Sequence, residues 1–218
     1  MSCILSGMDK FFTYTTVGSL LPVLPEAAVW SRLGRNRFLS ELAPEMQVSI
    51  QLAMHQAFER IRPDTCGRWK LLPVASVDVD GVVLADDWRI KSPALAAFVD
   101  SAPTVWLGAV TVGYGIADLI NEYKSNMTWQ VVFDAVGSEC ADWAMRNLQQ
   151  LAAQTLLRNN IILQKKRFSA GYGQVSLEHQ ERIFQELALD ELQMSLSESF
   201  IMQPEKSVTA FAAVKIEQ

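Results

Sequence analysis

The stretch from Thr128 to Arg158 constrains the fold more than any other part of the chain. Val132, Val136, Cys140, Trp143, Ala144, Leu148, Leu151 and Thr155 recur every three or four residues, the spacing that lines side chains along one face of an α-helix. Gly137 interrupts the stripe at a cost near 1 kcal/mol relative to alanine. A glycine there points to close approach by another backbone or a ligand, or to plain close packing. The run "TVWLGAVTVG" (104–113) lies just before this helix. It is continuous, apolar and rich in β-branched residues, which reads as a strand buried on both faces.

The remaining elements fall around these two. Residues 1–25 have no clear period and are expected to form an N-terminal arm. From Glu26 to Leu33, and again from Pro44 to Pro63, apolar residues recur at helical intervals, with Pro44 suited to a first helical position. Alternation from Val77 to Val82 around Asp80-Gly81 predicts a hairpin. Ser92-Pro93 opens a short helix through Val99, and Ile116 to Tyr123 resumes helical spacing. Beyond Asn159-Asn160 come a short strand, a helix from Leu177 to Ala188, and strands in "MSLSES" and "SVTAFAAVKI". Helices first, a hairpin early and strands late give an α+β fold with a twisted, mostly antiparallel sheet and flanking helices. Residues 26–100 form the helical and hairpin part of one domain, and 101–218 form its core.

Composition excludes several functions. The chain has 218 residues, half of them hydrophobic, and a net charge of −5 with both signs interspersed. No basic face suits nucleic acid, and Lys165-Lys166-Arg167 is too short to supply one. Cys3, Cys66 and Cys140 are isolated, as expected for thiols in a reducing cytoplasm. His55 and His179, far apart, cannot build a zinc site. No segment is long and apolar enough to span a bilayer. The opening residues make a poor secretion signal. The expectation is a soluble, cytoplasmic protein.

Chemistry concentrates in "RFSAGYG" (167–173). Arg167 offers a planar fork suited to a carboxylate. Gly171 and Gly173 let a ligand reach the main chain, and Tyr172 presents a ring face or a phenol. An ordinary glycine turn with Arg167 in a surface ion pair is the plainer reading. "GAVTVGYGIAD" (108–118) resembles a phosphate loop only in part, because Asp118 stands where the third glycine of the dinucleotide fingerprint belongs. Asp134 and Asp142 lie two turns apart on the long helix, within roughly 80° of one another. Glu198 sits in "SLSESF". Carboxylates near Arg167 suit the ammonium or sulfonium of a ligand, while Asp142 alone is equally a solvated helix charge. No nucleophile with an adjacent base emerges.

Three ordered motifs carry a family resemblance: "FDAVGSECAD", "RFSAGYG" and "LSESFIMQPEKSV". With them, residues 105–214 resemble the activation (reactivation) domain of cobalamin-dependent methionine synthase, in particular its free-standing homologues. "RLGRNRFLSELAPEM" and "GVVLADDWRIKSPALAAFV" extend the likeness upstream. Arg167, Gly171, Tyr172, Glu198, Ser199, Met202, Pro204, Ser207 and Val208 match the family pattern. Gly173 and Val175 stand where synthase domains carry proline. The resemblance implies an S-adenosylmethionine site formed by Arg167, Gly171, Tyr172, Gly173, Asp142 and Glu198. It also implies cobalamin supplied by a partner, which would be a corrinoid protein or a methionine synthase lacking its own activation domain. A flavodoxin-like or other reductant would deliver the electron. Reduced cobalt would attack the methyl carbon, so a domain of this kind positions and docks without a nucleophile of its own. The alternatives are an interaction protein that kept the fold without the ligand, and a small-molecule enzyme reusing the cleft beside Tyr172 and Glu198.

Overall fold

The computed structural model describes residues 9–34 and 42–216. Cys3, residues 1–8 of the expected arm and part of the "RLGRNRFLSELAPEM" motif lie outside them. The strands are β1 (Thr15–Gly18), β2 (Cys66–Asp78), β3 (Gly81–Leu84), β4 (Arg89–Lys91), β5 (Thr104–Thr111), β6 (Ile161–Leu163), β7 (Ser195–Leu196), β8 (Met202–Gln203) and β9 (Ser207–Ile216). The helices are α1 (Glu26–Arg32), α2 (Pro44–Ile61), α3 (Pro93–Val99), α4 (Gly115–Glu122), α5 (Met127–Leu157) and α6 (His179–Leu187). Seven strands form one antiparallel sheet in the order β4-β3-β2-β5-β9-β6, with β1 also pairing β2; β7 and β8 make a separate ribbon.

β5 lies inside this sheet, and all eight of its residues are buried. Pleating sends alternate side chains to opposite faces, and both faces are covered. Trp106 and Val110 join a core with α1, α2, α4 and α5. Val105, Leu107 and Ala109 join a second core with α3 and α6. The result is three layers with the sheet in the middle, which explains why β5 reads as continuous rather than alternating.

α5 packs against β2, β5, β6 and β9 as well as α1, α2 and α4. Its start is capped by Asn126, whose side chain accepts from Trp129 N. The expected stripe holds from Val132 to Leu148 but not beyond it: Leu151 and Thr155 are exposed, and Ala152 and Leu156 are buried instead. Rows spaced four apart continue straight through 148, 152 and 156, and a second row at Ala141, Met145 and Gln149 is buried beside them. Gly137 is a packing glycine, since a Cβ there would come within 2.8 Å of Ile116 Cγ1 and 3.0 Å of Lys206 Cγ.

Other local signals resolve with small displacements. The β2–β3 hairpin forms, but Asp78 pairs with Gly81, so Val79-Asp80 makes the turn. Asp78 Oδ1 accepts from both Asp80 N and Gly81 N. Gly81 is needed because a Cβ there would strike the Ile90 carbonyl of β4. Ser92 caps α3, its hydroxyl accepting from Leu95 N at 3.0 Å. "MSLSES" contains only the two residues of β7, which turns back onto β8. Within the expected arm, residues 15–18 pair with β2 as β1, and Phe11, Leu20 and Leu21 are buried.

Candidate functional site

β6 runs antiparallel to the end of β9, and the chain leaves that register at a point that matters. Gln164 N bonds Ala213 O, and the next sheet bonds join Phe168 to Phe211 in both directions. Lys165, Lys166 and Arg167 therefore face a single β9 residue, Ala212, and are thrown off the sheet edge as a bulge. α5 lies alongside. Gln149, only 8% exposed, holds the bulge: its amide donates to Gln164 O at 2.8 Å, and its Oε1 accepts from Arg167 Nη1 at 2.9 Å.

The Arg167 guanidinium is half-buried and lines a cleft of about 1010 Å³ between α5 and the bulge. Asp142 and Arg146 line the same cleft. The nearest Arg167–Asp142 approach is 3.9 Å, beyond hydrogen-bond range, and Arg146 reaches Asp142 at 3.4 Å. Burial pulls the Arg167 pKa down, Asp142 opposes that pull, and Arg146 adds to it; a guanidinium stays charged regardless. Ala153, Leu163, Phe168 and Val208 provide the apolar wall, and Tyr172, 73% exposed, stands at the rim. A cation, an acid, a ring and an apolar wall in a space of this size suit a zwitterionic small molecule with a flat group.

The loop after Arg167 is tightly determined. Gly171 takes φ +88° and donates to Val175 O, while Val175 N returns to Tyr172 O. Gly173 takes φ +53°, and a Cβ there would lie 2.5 Å from the Phe168 ring. Its carbonyl accepts from the Ser92 hydroxyl at the start of α3. The two glycines thus shape the turn that presents Tyr172, and neither lines the cleft. Ser176 Oγ accepts from Glu178 N just before α6.

Of the residues expected at the site, Arg167, Asp142 and Tyr172 are brought together. Glu198 is exposed in the β7–β8 turn and does not line the cleft. Asp134 instead pairs with Lys206 at 2.6 Å. Gln149 was not expected; the one sequence sign of it is a polar residue on a buried helical row. Of the β5–α4 glycines, Gly113 takes φ +74° at the turn, and Gly115 is a packing glycine, since a Cβ there would press within 3.1 Å of Arg60 and Ile61. Among the described residues no group of His, Cys, Asp and Glu could hold a metal, and no helix is long and apolar enough to cross a membrane.

An antiparallel sheet with helices on both faces is the reactivation-domain fold. The crystal structure of the MetH reactivation domain bound to AdoHcy is similar at a TM-score of 0.63 and 16% identity, covering 92% of this chain and 77% of that one. At that identity the likeness is one of fold. No protein-family model and no curated protein matches the sequence.

Proposed function

We propose that this chain binds S-adenosylmethionine in the Arg167 cleft and acts as a stand-alone reactivation subunit for a corrinoid protein. The observation that carries this reading is the half-buried Arg167 guanidinium, held on Gln149 and lining a cleft roomy enough for a small-molecule ligand, on a fold shared with a domain solved with AdoHcy. Arg167 would take the ligand carboxylate as a charge-assisted, two-point contact. Asp142, half-exposed, would face the ammonium, and Phe168 with Leu163 and Val208 would receive the adenosyl group. Tyr172 would close the rim. Bound S-adenosylmethionine supplies an electrophilic methyl group, and the partner's corrinoid supplies the nucleophile. The chain's own part is to exclude water, fix the ligand and dock.

The partner in this reading is a corrinoid protein such as a methionine synthase lacking its own activation domain. The electron comes from a separate flavodoxin-like or other reductant, in the cytoplasm. One observation favours the alternative of an interaction protein without ligand: Gly173 at φ +53° has a backbone closed to proline, so the loop beside Tyr172 differs from that of proline-bearing synthase domains.

Calorimetry with S-adenosylmethionine and S-adenosylhomocysteine decides between them. Binding by the wild type, weakened about 10- to 100-fold by Arg167→Ala through loss of a charged hydrogen-bonding group, is expected. No detectable binding of either ligand at about millimolar concentration would overturn the S-adenosylmethionine reading.

A further inference from the structure

Lys10, Arg158, Lys165, Lys166 and Lys215 are exposed and make no ion pair among the described residues. Of the other described cations only Lys91 and Lys124 share that condition; the rest are matched to carboxylates. The five come from separate parts of the chain and meet at the β6 edge of the sheet. Lys10, in the short helical turn Asp9–Phe11, reaches Asn159 Oδ1 at 3.5 Å. Arg158 closes α5, and Lys215 of β9 stands opposite Ile162 of β6. Lys165 and Lys166 are exposed on the bulge that follows. At about 3.3 Å per extended residue, Arg158 and Lys166 are at most roughly 27 Å apart, with Lys215 beside the middle of that span. The chain carries 24 acids, yet none occurs between Asp142 and Glu178.

We infer that the β6 edge is a docking surface for an acidic segment of a partner protein. Lysines on an edge strand guard it against pairing with another sheet, and Lys165 with Lys166 would suffice for that. Lys10, Arg158 and Lys215 come from other elements, so edge protection does not account for them. Unlike charge across an interface speeds encounter and fixes orientation. A protein partner fits better than a polyanion for two reasons. The net charge of −5 repels nucleic acid and anionic membranes at long range, and residues 151–166 contain no aromatic side chain on which a base could stack. Leu157, 60% exposed, and Leu151, 43% exposed, set apolar surface among the cations, as protein interfaces do. Arg167 belongs to the same bulge, so a partner seated on Lys165 and Lys166 abuts the cleft. The inference goes beyond the S-adenosyl reading and needs no ligand in that cleft.

The test is fluorescence anisotropy of the full chain with a labelled peptide of about twelve residues, half of them glutamate with leucines between. Its glutamine counterpart, a thymidylate strand of equal length and vesicles rich in phosphatidylserine serve as competitors. The expected result is binding of the glutamate peptide alone, weakening as salt rises from about 25 mM to about 500 mM. Exposed ion pairs contribute little singly, so the cations are changed in pairs. Lys165→Glu with Lys166→Glu should weaken binding about tenfold, and Arg158→Gln with Lys215→Gln about threefold. Lys91→Glu with Lys124→Glu changes the net charge equally, away from this edge, and should leave affinity within about twofold of wild type. All six side chains are exposed, so folding should survive, and thermal melts verify this. No binding of the glutamate peptide overturns the inference, as does equal loss in the Lys91 and Lys124 variant, which would reduce the effect to net charge. Tighter binding of the thymidylate strand or the vesicles also overturns it. Each of these failures leaves the S-adenosyl site standing, because that site is measured separately with its own ligands.

Discussion

Replacing Gln149 with leucine removes the one side chain that joins α5, the bulge and the Arg167 guanidinium. The volumes are similar, so no cavity opens. Two strong interactions go, the 2.8 Å donation to Gln164 O and the 2.9 Å acceptance from Arg167, and with them a longer 3.4 Å donation to Lys165 O. The first is a neutral hydrogen bond worth about 1 kcal/mol, and the second is charge-assisted, worth about 1.5–3 kcal/mol. Some of that loss is returned by burying an apolar side chain on the row beside Met145 and Ala152. A net destabilisation of about 2–3 kcal/mol follows, or a fall in melting temperature of roughly 4–12 °C for a chain of this size. Arg167 would also lose its fixed orientation, and ordering it on binding costs about 0.5–1.5 kcal/mol, roughly two- to tenfold in affinity. Urea denaturation measures the first effect and calorimetry with S-adenosylhomocysteine the second. Stability within about half a kcal/mol of wild type would refute the bridging role of Gln149. Lowered stability with unchanged affinity would refute its role in orienting the guanidinium.

Gly173→Ala forces a Cβ to 2.5 Å from Phe168 Cζ at φ +53°, and should cost about 1–3 kcal/mol; a thermal melt identical to wild type would contradict it. His179 is held below its ordinary pKa, chiefly by burial, with Glu178 opposing. Its Nδ1 accepts from Trp88 Nε1 at 3.2 Å, which requires that nitrogen to be unprotonated. A folded-state value below the unfolded one gives full stability above the ordinary value of 6.5, lost as the pH falls through the lower folded value. Urea midpoints should therefore drop from about pH 7.5 to about pH 5, and His179→Gln should reduce the drop by an amount equivalent to about 0.5–1 kcal/mol. An unchanged drop in that variant would show that other groups carry it.

Much of the fold was legible because its elements announce themselves locally. β5 was readable as a strand because both of its faces are buried, leaving an uninterrupted apolar run. Pro44 and Ser92 mark helix starts that the structure keeps, one by its ring at the first position and the other by its hydroxyl. The far end of α5 was misread because a mixed three- and four-residue spacing fits Leu151 as well as Ala152, and only the packed layer chooses between them. The hairpin turn was displaced by one residue because Gly81 answers to the approach of β4, a long-range fact, rather than to its own φ. Of the site, the Arg167–Tyr172 segment was visible as a motif, and Gln149 was not.

Sequence alone determined the principal helices and the buried strand β5, and that a cation, two glycines and a ring sit within seven residues. Those outcomes depend on side-chain period, caps and backbone freedom, which act between near neighbours. Tertiary structure decided what the cation meets. Arg167 lies 18 residues from Gln149, and the two touch only because the chain bulges off the edge of β9 at the point where one face of α5 passes. It also decided that Glu198 stands outside the cleft while Arg146 lines it. Local preferences cannot encode that convergence, because it is set by how the long helix and the sheet pack against each other.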